Sequence, residues 1–574
     1  MSFTTGNNSI DSLLYSSWKP VAGQAVSLTY SFLTRVPGDA TSDDANGFRA
    51  MDATQQQAVR VALASWAAVA NITFNEVANG GQIQLGTNNQ GSASSGYAYL
   101  PDGNGPVALY VNNGGGFNLT YRDGDFGMAV LIHELGHTLG LKHPGDYNST
   151  GGDIDGPFLP AATDTIDYSQ MSYNVGSGFK LNGNYGITPA LYDIQAMQYM
   201  YGANMSYHAG TDTYSFSKDA ALQCIWDAGG TDTFDFSACS TATIINLNAG
   251  TFSETAPGYN NISIAYNVTI ERAIAGSGGS TIYANAAGNV IAGGAGADLI
   301  YEGAGNDQIS GGGGRDTVVY AKALSAFTIT GTTGALTVAG DGVDSLTGIS
   351  VLRFGGKDVE LSSFRSVQGG TAGNDIMTAG SGDELFTGGG GIDLIKFNGI
   401  RSDYQVGASG AGIVVTDRLG NGGSDLLGGI ERIEFSDKLG LALDTAGEAG
   451  QLYRLYGAMF SREPDLPGMG FWLYRMDHDG LDLLTIARAF VDSEEFVRTY
   501  GASTTDAQYV TSLYSNVLHR APDAAGYAHH MGNLASGAVS REQLLIVFSQ
   551  SDENIELVSH IMPVGVQYVP YLPT

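Results

Sequence analysis

Two hydrophobic periods alternate over the first 205 residues. Asp52–Val69 carries Val59, Val61, Leu63, Trp66 and Val69 at helical spacing, and Phe126–Leu141 and Ala190–Tyr201 read as two further helices. Ala25–Leu33, Ile72–Val77, Gln82–Leu85, Ala98–Leu100 and Val107–Val111 are short runs of strand character. The mixture predicts one α/β domain over residues 1–205. From about Tyr207 the composition turns to glycine, threonine and aspartate. Further on, an apolar residue recurs every nine positions, at Ile300, Ile309 and Val318. From residue 446 the helical period returns.

The nine-residue units are GGAGADLIY, EGAGNDQIS and GGGGRDTVV, Gly293–Val319, and follow the pattern G-G-x-G-x-D-x-U-x. Gly294, Gly296, Gly303, Gly305, Gly312 and Gly314 permit tight turns that expose backbone carbonyls. Asp298, Asp307 and Asp316 add carboxylate oxygens, and the U residue fills a core. An acidic, all-oxygen ligand set of this kind predicts a calcium-binding parallel β-roll. Upstream, Ser280 and Asn289 stand where Asp is expected. A second block (AGNDIMTAG, SGDELFTGG, GGIDLIKF) repeats the acidic position at Asp375, Glu384 and Asp393. Behind each block lies a small β module: Asp344, Gly348, Ile349, Leu352 and Phe354 return 81 residues later as Asp425, Gly429, Ile430, Ile433 and Phe435. Residues 291–443 therefore read as a duplicated unit. In the helical region Leu455–Gly468 (LYGAMFSREPDLPG) returns as Leu513–Gly526 (LYSNVLHRAPDAAG), which suggests two stacked helical units with Pro and Asp at a helix start.

The stretch with most chemistry is Leu131–Pro144, LIHELGHTLGLKHP. His133 and His137, four apart, project from one helix face and can hold one metal ion. Gly140 lets the helix end, so that the chain turns and His143 becomes a third ligand. Three neutral imidazoles suit Zn²⁺ and leave a position open for water, with Glu134 beside it to act as the base.

The string H-E-x-x-H-x-x-G-x-x-H resembles the metzincin signature, and DYSQMSYN, Asp167–Asn174, resembles a methionine turn. SWKPVAGQAVSLTYSF, ASWAAVANITFNEV, HPGDYN (His143–Asn148), ALYDIQAMQYMYGAN and WDAGGTDTFDFS are similar to segments of the serralysins, in serralysin order. The resemblance implies a secreted bacterial zinc protease, with Met171 as the floor of the site and Tyr173 reaching the metal and the oxyanion. It also implies one edge strand, by analogy Gln82–Leu85, pairing with the substrate peptide. Gly210, Asp212, Asp227, Gly229 and Asp232 match a serralysin calcium site between protease and roll, or form a plain turn cluster. The R-x-P-D-x-x-G repeat resembles an uncharacterised helical repeat of secreted and surface-layer calcium-binding proteins. The expected fold class is multidomain: an α/β metzincin protease domain (1–205), a parallel β-roll (RTX) with a small β module (206–362), a second degenerate block and module (363–445), and an all-α C-terminal domain (446–574).

Composition narrows the partners. A formal charge of −31 over 574 residues argues against nucleic acid, and no run approaches the ~18 apolar residues of a membrane helix. Cys224 and Cys239 are read as free thiols rather than a disulfide framework. MSFTTGNNSIDSLLYSSWKP has no apolar core of a leader peptide; the resemblance implies export through a type I (ABC) machine on a C-terminal signal, for which Leu557–Thr574 is the candidate. The expected function is a secreted, calcium-stabilised zinc endopeptidase acting on extracellular or surface proteins. The rival is a surface-layer or matrix calcium-binding scaffold with a vestigial protease domain.

Overall fold

The computed structural model describes residues 4–92, 94–114, 120–147 and 155–573. The chain forms two compact units, Met1–Val319 with Asp344–Ile349, and Tyr320–Val343 with Ser350–Thr574.

The first unit opens with a sheet of β1 (Val26–Phe32), β2 (Ile72–Glu76), β3 (Ile83–Asn88), β4 (Gly96–Ala98) and β5 (Val107–Asn112), in the order β2-β1-β3-β5-β4. Four strands are parallel, and β4 lies antiparallel on β5 with Tyr97 opposite Tyr110. Parallel neighbours need a crossover, and α1 (Ala53–Val69) supplies the one from β1 to β2. Asp52 starts α1 through a capping box with Gln55. Inside α1, fully buried Trp66 donates its indole N–H to the Ile132 carbonyl at 3.1 Å. That bond ties α1 to α2 (Phe126–Leu139), which is buried on nearly every side. α3 (Leu191–Tyr201) closes the region, Tyr201 donating its hydroxyl to the Leu139 carbonyl at 2.7 Å.

One expectation fails here. Gln82–Leu85 is not an edge: β3 is hydrogen-bonded to β1 on one side and β5 on the other, with Ile83 and Leu85 fully buried. A strand paired on both sides cannot accept another chain. The edges of the sheet are β2 and β4, and β4 is the one that runs beside Glu134 of α2. Asn148, the last residue of the His143–Asn148 segment, lies outside the described residues.

The same unit continues into a roll whose strands alternate between two parallel sheets. Arg272–Ile274, Val290–Ala292 and Gln308–Ser310 stack in one; Ser280–Tyr283, Leu299–Tyr301 and Thr317–Tyr320 stack in the other. Nine residues carry the chain across the roll and eighteen return it to the same sheet. Ile282, Ile291, Ile300, Ile309 and Val318 fill the space between the sheets. The tight turns need glycine: a Cβ on Gly294 would sit 1.6 Å from the Gly276 carbonyl oxygen, and one on Gly303 1.9 Å from that of Asn285.

The second unit holds the second roll. Ser366–Gly369, Glu384–Thr387 and Ser424–Gly428 form one parallel ladder; Ile376–Thr378, Leu394–Lys396 and Arg432–Glu434 form the other. Helices then run from Glu448 to Ser559. The R-x-P-D-x-x-G repeat is resolved into parts. Arg462 pairs with Glu495 and Arg520 with Glu553, each in a two-pronged bond with its closest contact at 2.7 Å. Asp465 and Asp523 cap the helices Leu466–Asp479 and Ala524–Ser536 by accepting from the Gly468 and Gly526 N–H groups, both at 2.8 Å. A Cβ on either glycine would strike a tyrosine hydroxyl, Tyr456 at 2.8 Å or Tyr514 at 2.2 Å. This motif joins helices. The helical region is fastened to the second roll by buried Arg432, which bonds Asp444 and grips Asp477 at 3.0 and 2.8 Å. Val566–Tyr568 adds a strand antiparallel to Gly440–Ala442, so this part of Leu557–Thr574 is built into a sheet. Cys224 and Cys239 are free and buried.

Candidate metal centre

α2 sets His133 and His137 one turn apart, and Gly140 ends it with φ +112°, where a Cβ would lie 2.1 Å from the Ser16 carbonyl oxygen. The chain then doubles back and brings the His143 Nε2 to 3.1 Å from the Nε2 of both His133 and His137. Each ring is oriented from behind. His133 Nδ1 is 2.8 Å from the Gln170 carbonyl, His137 Nδ1 is 2.8 Å from the Leu141 carbonyl, and His143 bonds to the backbone of Tyr147. Carbonyls only accept, so the ring protons reside on Nδ1 and three Nε2 lone pairs face one another. Lone pairs so placed repel unless a cation stands between them. Burial also holds the rings neutral: it depresses His133 to about 4 and, with the neighbouring His133, His143 to about 3, and His137 falls well below its ordinary value.

Glu134 lies against this triad with its Oε2 buried and without a hydrogen-bond partner. Burial pushes its carboxyl up to about 8. A buried unpaired oxygen beside three converging nitrogens fits a divalent cation with a bound water. The free edge passes close by, since a Cβ on Gly96 of β4 would stand 3.0 Å from Glu134 Cγ.

Beneath the rings Met171 is fully buried, and a Cβ on Gly136 would lie 2.6 Å from its Sδ. Its turn is held by a residue that sequence reading passed over. Asp193 of α3, also fully buried, accepts from the Ser169 hydroxyl at 2.6 Å, the Gln170 N–H at 2.7 Å and the Ala190 N–H at 2.9 Å. Since Gln170 in turn orients His133, Asp193 acts on the first ligand through one peptide. An acidic residue amid the apolar positions of a helix was the available signal. Tyr173 is 48% exposed, its ring 4.5 Å from that of His143 and 4.8 Å from that of Tyr147; Tyr147 donates to Asp164 at 2.6 Å.

Residues 190–412 match the family model "Peptidase M10 serralysin C terminal". Metalloprotease AprA of Pseudomonas entomophila is 36% identical over 302 residues, 48% of this chain and 62% of that protein. Serralysin G of Dickeya chrysanthemi is 39% identical, covering 47% and 62%, and serralysin of Proteus mirabilis 36% identical, covering 48% and 63%. Over residues 190–412 the chain is similar to the serralysins in their C-terminal region. It spans about three fifths of the length of these relatives. Residues 487–558 match a "Domain of unknown function (DUF4214)". Extracellular lipase LipA of Serratia marcescens overlaps 29% of this chain and 39% of its own at 15% identity, with a TM-score of 0.16, too low to bear on the fold.

The chain brings its repeat carboxylates together as well. Asp298 accepts from the Ser280 N–H at 2.6 Å and the Gly294 N–H at 2.9 Å, and Asp316 accepts from the Asp298 N–H at 2.9 Å. Asp307 accepts from the Asn289 N–H at 2.5 Å, and its own N–H goes to Asp344 at 2.9 Å. In the second roll the Asp375, Glu384 and Asp393 N–H groups go to Asp393, Asp425 and Glu431. Asp344 and Asp425, the pair 81 apart, are thus the closing carboxylates of their rolls. Glu302, Asp307 and Asp344 offer oxygens within 4.8 Å of one another, as do Asp212, Asp227 and Asp232. Asp227 accepts from the Gly229 N–H at 2.7 Å, and a Cβ on Gly230 would overlap the Gly210 carbonyl. The Oδ2 atoms of Asp232, Asp316 and Asp393 are buried without hydrogen-bond partners. Glu302, Asp344 and Glu431 were not singled out as ligands from sequence, because each stands off the nine-residue register.

Proposed function

We propose that the chain is a zinc-dependent endopeptidase of serralysin type whose rolls are stabilised by calcium. The observation that carries this reading is the convergence of three proton-free Nε2 atoms next to the unpaired Glu134 carboxylate. His133, His137 and His143 would hold the zinc, which when bound lowers the pKa of a coordinated water to about 7 and polarises the scissile carbonyl.

The remaining steps belong to the chain. β4 offers its free edge to an extended substrate, whose main chain pairs beside Glu134 with modest sequence preference. Glu134 takes the proton of the attacking water at Oε2 and passes it to the leaving amine. Tyr173, exposed and packed at a tilt against the His143 ring, donates a hydrogen bond to the developing oxyanion. Asp193 and Met171 keep the triad in place from below. Asp298, Asp307, Asp316, Asp375, Glu384 and Asp393 with the turn carbonyls are the calcium ligands of the rolls, joined by Glu302, Asp344 and Glu431. Asp212, Asp227 and Asp232 hold one more ion. Calcium binds only the folded rolls, so a chain made at low calcium stays unfolded for a type I exporter and folds outside. Against a vestigial scaffold stands the intact set of His133, Glu134, His137 and His143, with carbonyls behind the His133 and His137 rings.

The test is metal analysis of the purified chain together with casein hydrolysis. One zinc per chain and cleavage abolished by 1,10-phenanthroline in calcium buffer is the expected result. A folded chain that takes up no zinc would overturn it.

A further inference from the structure

Tyr173 is half exposed, and a half-exposed ring samples several staggered rotamers unless something packs against it. Three rings do. The Tyr147 ring is stacked on it at 4.8 Å and 25°, the His143 ring lies at 4.5 Å with a tilt of 55°, and the His133 ring stands at 5.8 Å. The two imidazoles face the metal centre with their Nε2 atoms. Tyr147 is the member of this cluster that the proposed chemistry has not used.

Tyr147 is anchored at its far end. Its hydroxyl donates to Asp164 Oδ1 at 2.6 Å and accepts from the Tyr173 N–H at 3.3 Å. Asp164 is buried, and it also accepts from the Ser172 hydroxyl at 2.8 Å and the Asn174 amide at 3.0 Å. Residues 172–174 are thus tied, one after another, to the Tyr147–Asp164 pair. The Tyr147 ring lies flat on a glycine: a Cβ on Gly145 would sit 2.0 Å from Tyr147 Cε1 and 2.5 Å from Asp164 Oδ2. Burial, with the bond to Asp164, raises the pKa of the Tyr147 phenol, so it stays protonated. That proton is committed to Asp164, which excludes Tyr147 itself as a donor to the oxyanion. The bond to the His143 ring is made by the Tyr147 backbone, so it does not depend on the side chain.

We propose that Tyr147 is the positioning residue of Tyr173: its anchored ring is the surface that holds the Tyr173 phenol in the orientation from which it donates to the developing oxyanion. This inference rests on the oxyanion role given to Tyr173 above. A stacked aromatic pair favours one arrangement by up to about tenfold, so the ring contact sets how much of the time the phenol is aimed. The bond to Asp164 keeps the Tyr147 ring from following Tyr173 when it moves. Because the link to His143 runs through backbone, the effect on Tyr173 can be separated from the holding of a metal ligand.

Casein kinetics on the full chain in calcium test this, with Tyr173→Phe alongside. Tyr147→Leu is expected to lower kcat by about tenfold, and Tyr147→Phe, which keeps the ring and loses the anchor, by about threefold. KM and zinc content stay at wild-type values in both. In a Tyr173→Phe background neither change costs anything further. If Tyr147→Leu does not fold, Tyr147→Phe carries the comparison. In the metal-free chain, meta-fluorotyrosine at position 173 is expected to give a fluorine resonance shifted by the Tyr147 ring current, and Tyr147→Leu to move it. An unmoved resonance, or losses that multiply with that of Tyr173→Phe, overturns the positioning role and leaves Tyr173 as the oxyanion donor. Zinc lost from both Tyr147 variants overturns it too, since the residue would then be a support of His143. Wild-type kcat from Tyr173→Phe alone removes the oxyanion reading, and this inference with it.

Discussion

The histidine centre and the carboxylate stacks of the rolls are both arranged for cations, but they face the cation's absence differently. At the centre, the ligands are neutral, their protons are parked on backbone carbonyls, and the surrounding helices pack without help. In the rolls, the ligands are anions stacked eighteen residues apart. Burial, joined by the neighbouring Asp298, pushes Asp316 up to about 6, and burial with Asp227 and Glu271 does the same to Asp232. One site is preorganised by hydrogen bonds. The other sets buried carboxylates against one another, an arrangement that a cation would relieve.

The largest way to break that contrast is to strip each metal separately. At free calcium 100-fold above Kd each ion adds about 2.7 kcal/mol to the folded state. Removing several with EGTA is expected to lower the first thermal transition by about 10 °C or more and to abolish roll circular dichroism first. Removing zinc alone should move it by far less. Equal losses from both treatments would erase the distinction.

Next in size is Asp193→Ala, which strands the Ser169 hydroxyl and two N–H groups in the interior. It should cost about 3 kcal/mol or more and loosen zinc, read by denaturant melts and metal competition; a neutral outcome would detach Asp193 from the centre. Tyr173→Phe should lower kcat by about 10²-fold with zinc content intact, and an unchanged kcat removes the oxyanion role.

The smallest effect is a proton count. The histidines are already neutral at pH 7, whereas Glu134, raised to about 8, is still protonated. Zinc binding to the metal-free chain should then release about one proton, measured by calorimetry in buffers of different ionisation enthalpy. Two or three would mean that the imidazoles carry protons.

What could be read from sequence was local. The HExxH turn with Gly140, the methionine turn and each single unit of the nine-residue rhythm span fewer than twenty residues, and local spacing is enough to place them. The edge strand was missed because sheet order is decided by pairings far apart in sequence: β3 sits between β1 and β5, and nothing within Gln82–Leu85 encodes that. Asp193 was missed because two of its three partners, Ser169 and Gln170, lie 24 and 23 residues upstream. Asp344 and Asp425 were recognised as repeats of one another, but not as the carboxylates that close the rolls. They arrive 37 and 41 residues after the N–H groups they accept from, once the chain has made a hairpin excursion. The R-x-P-D-x-x-G motif was visible as a repeat, yet its meaning needed the tyrosine above each glycine.

The most direct measurement is made on Glu134→Gln in calcium. The variant is expected to keep one zinc per chain and the wild-type melting curve while casein hydrolysis falls by at least about 10³-fold. Hydrolysis at the wild-type rate from a zinc-loaded Glu134→Gln preparation would contradict the assignment of this centre as the active site.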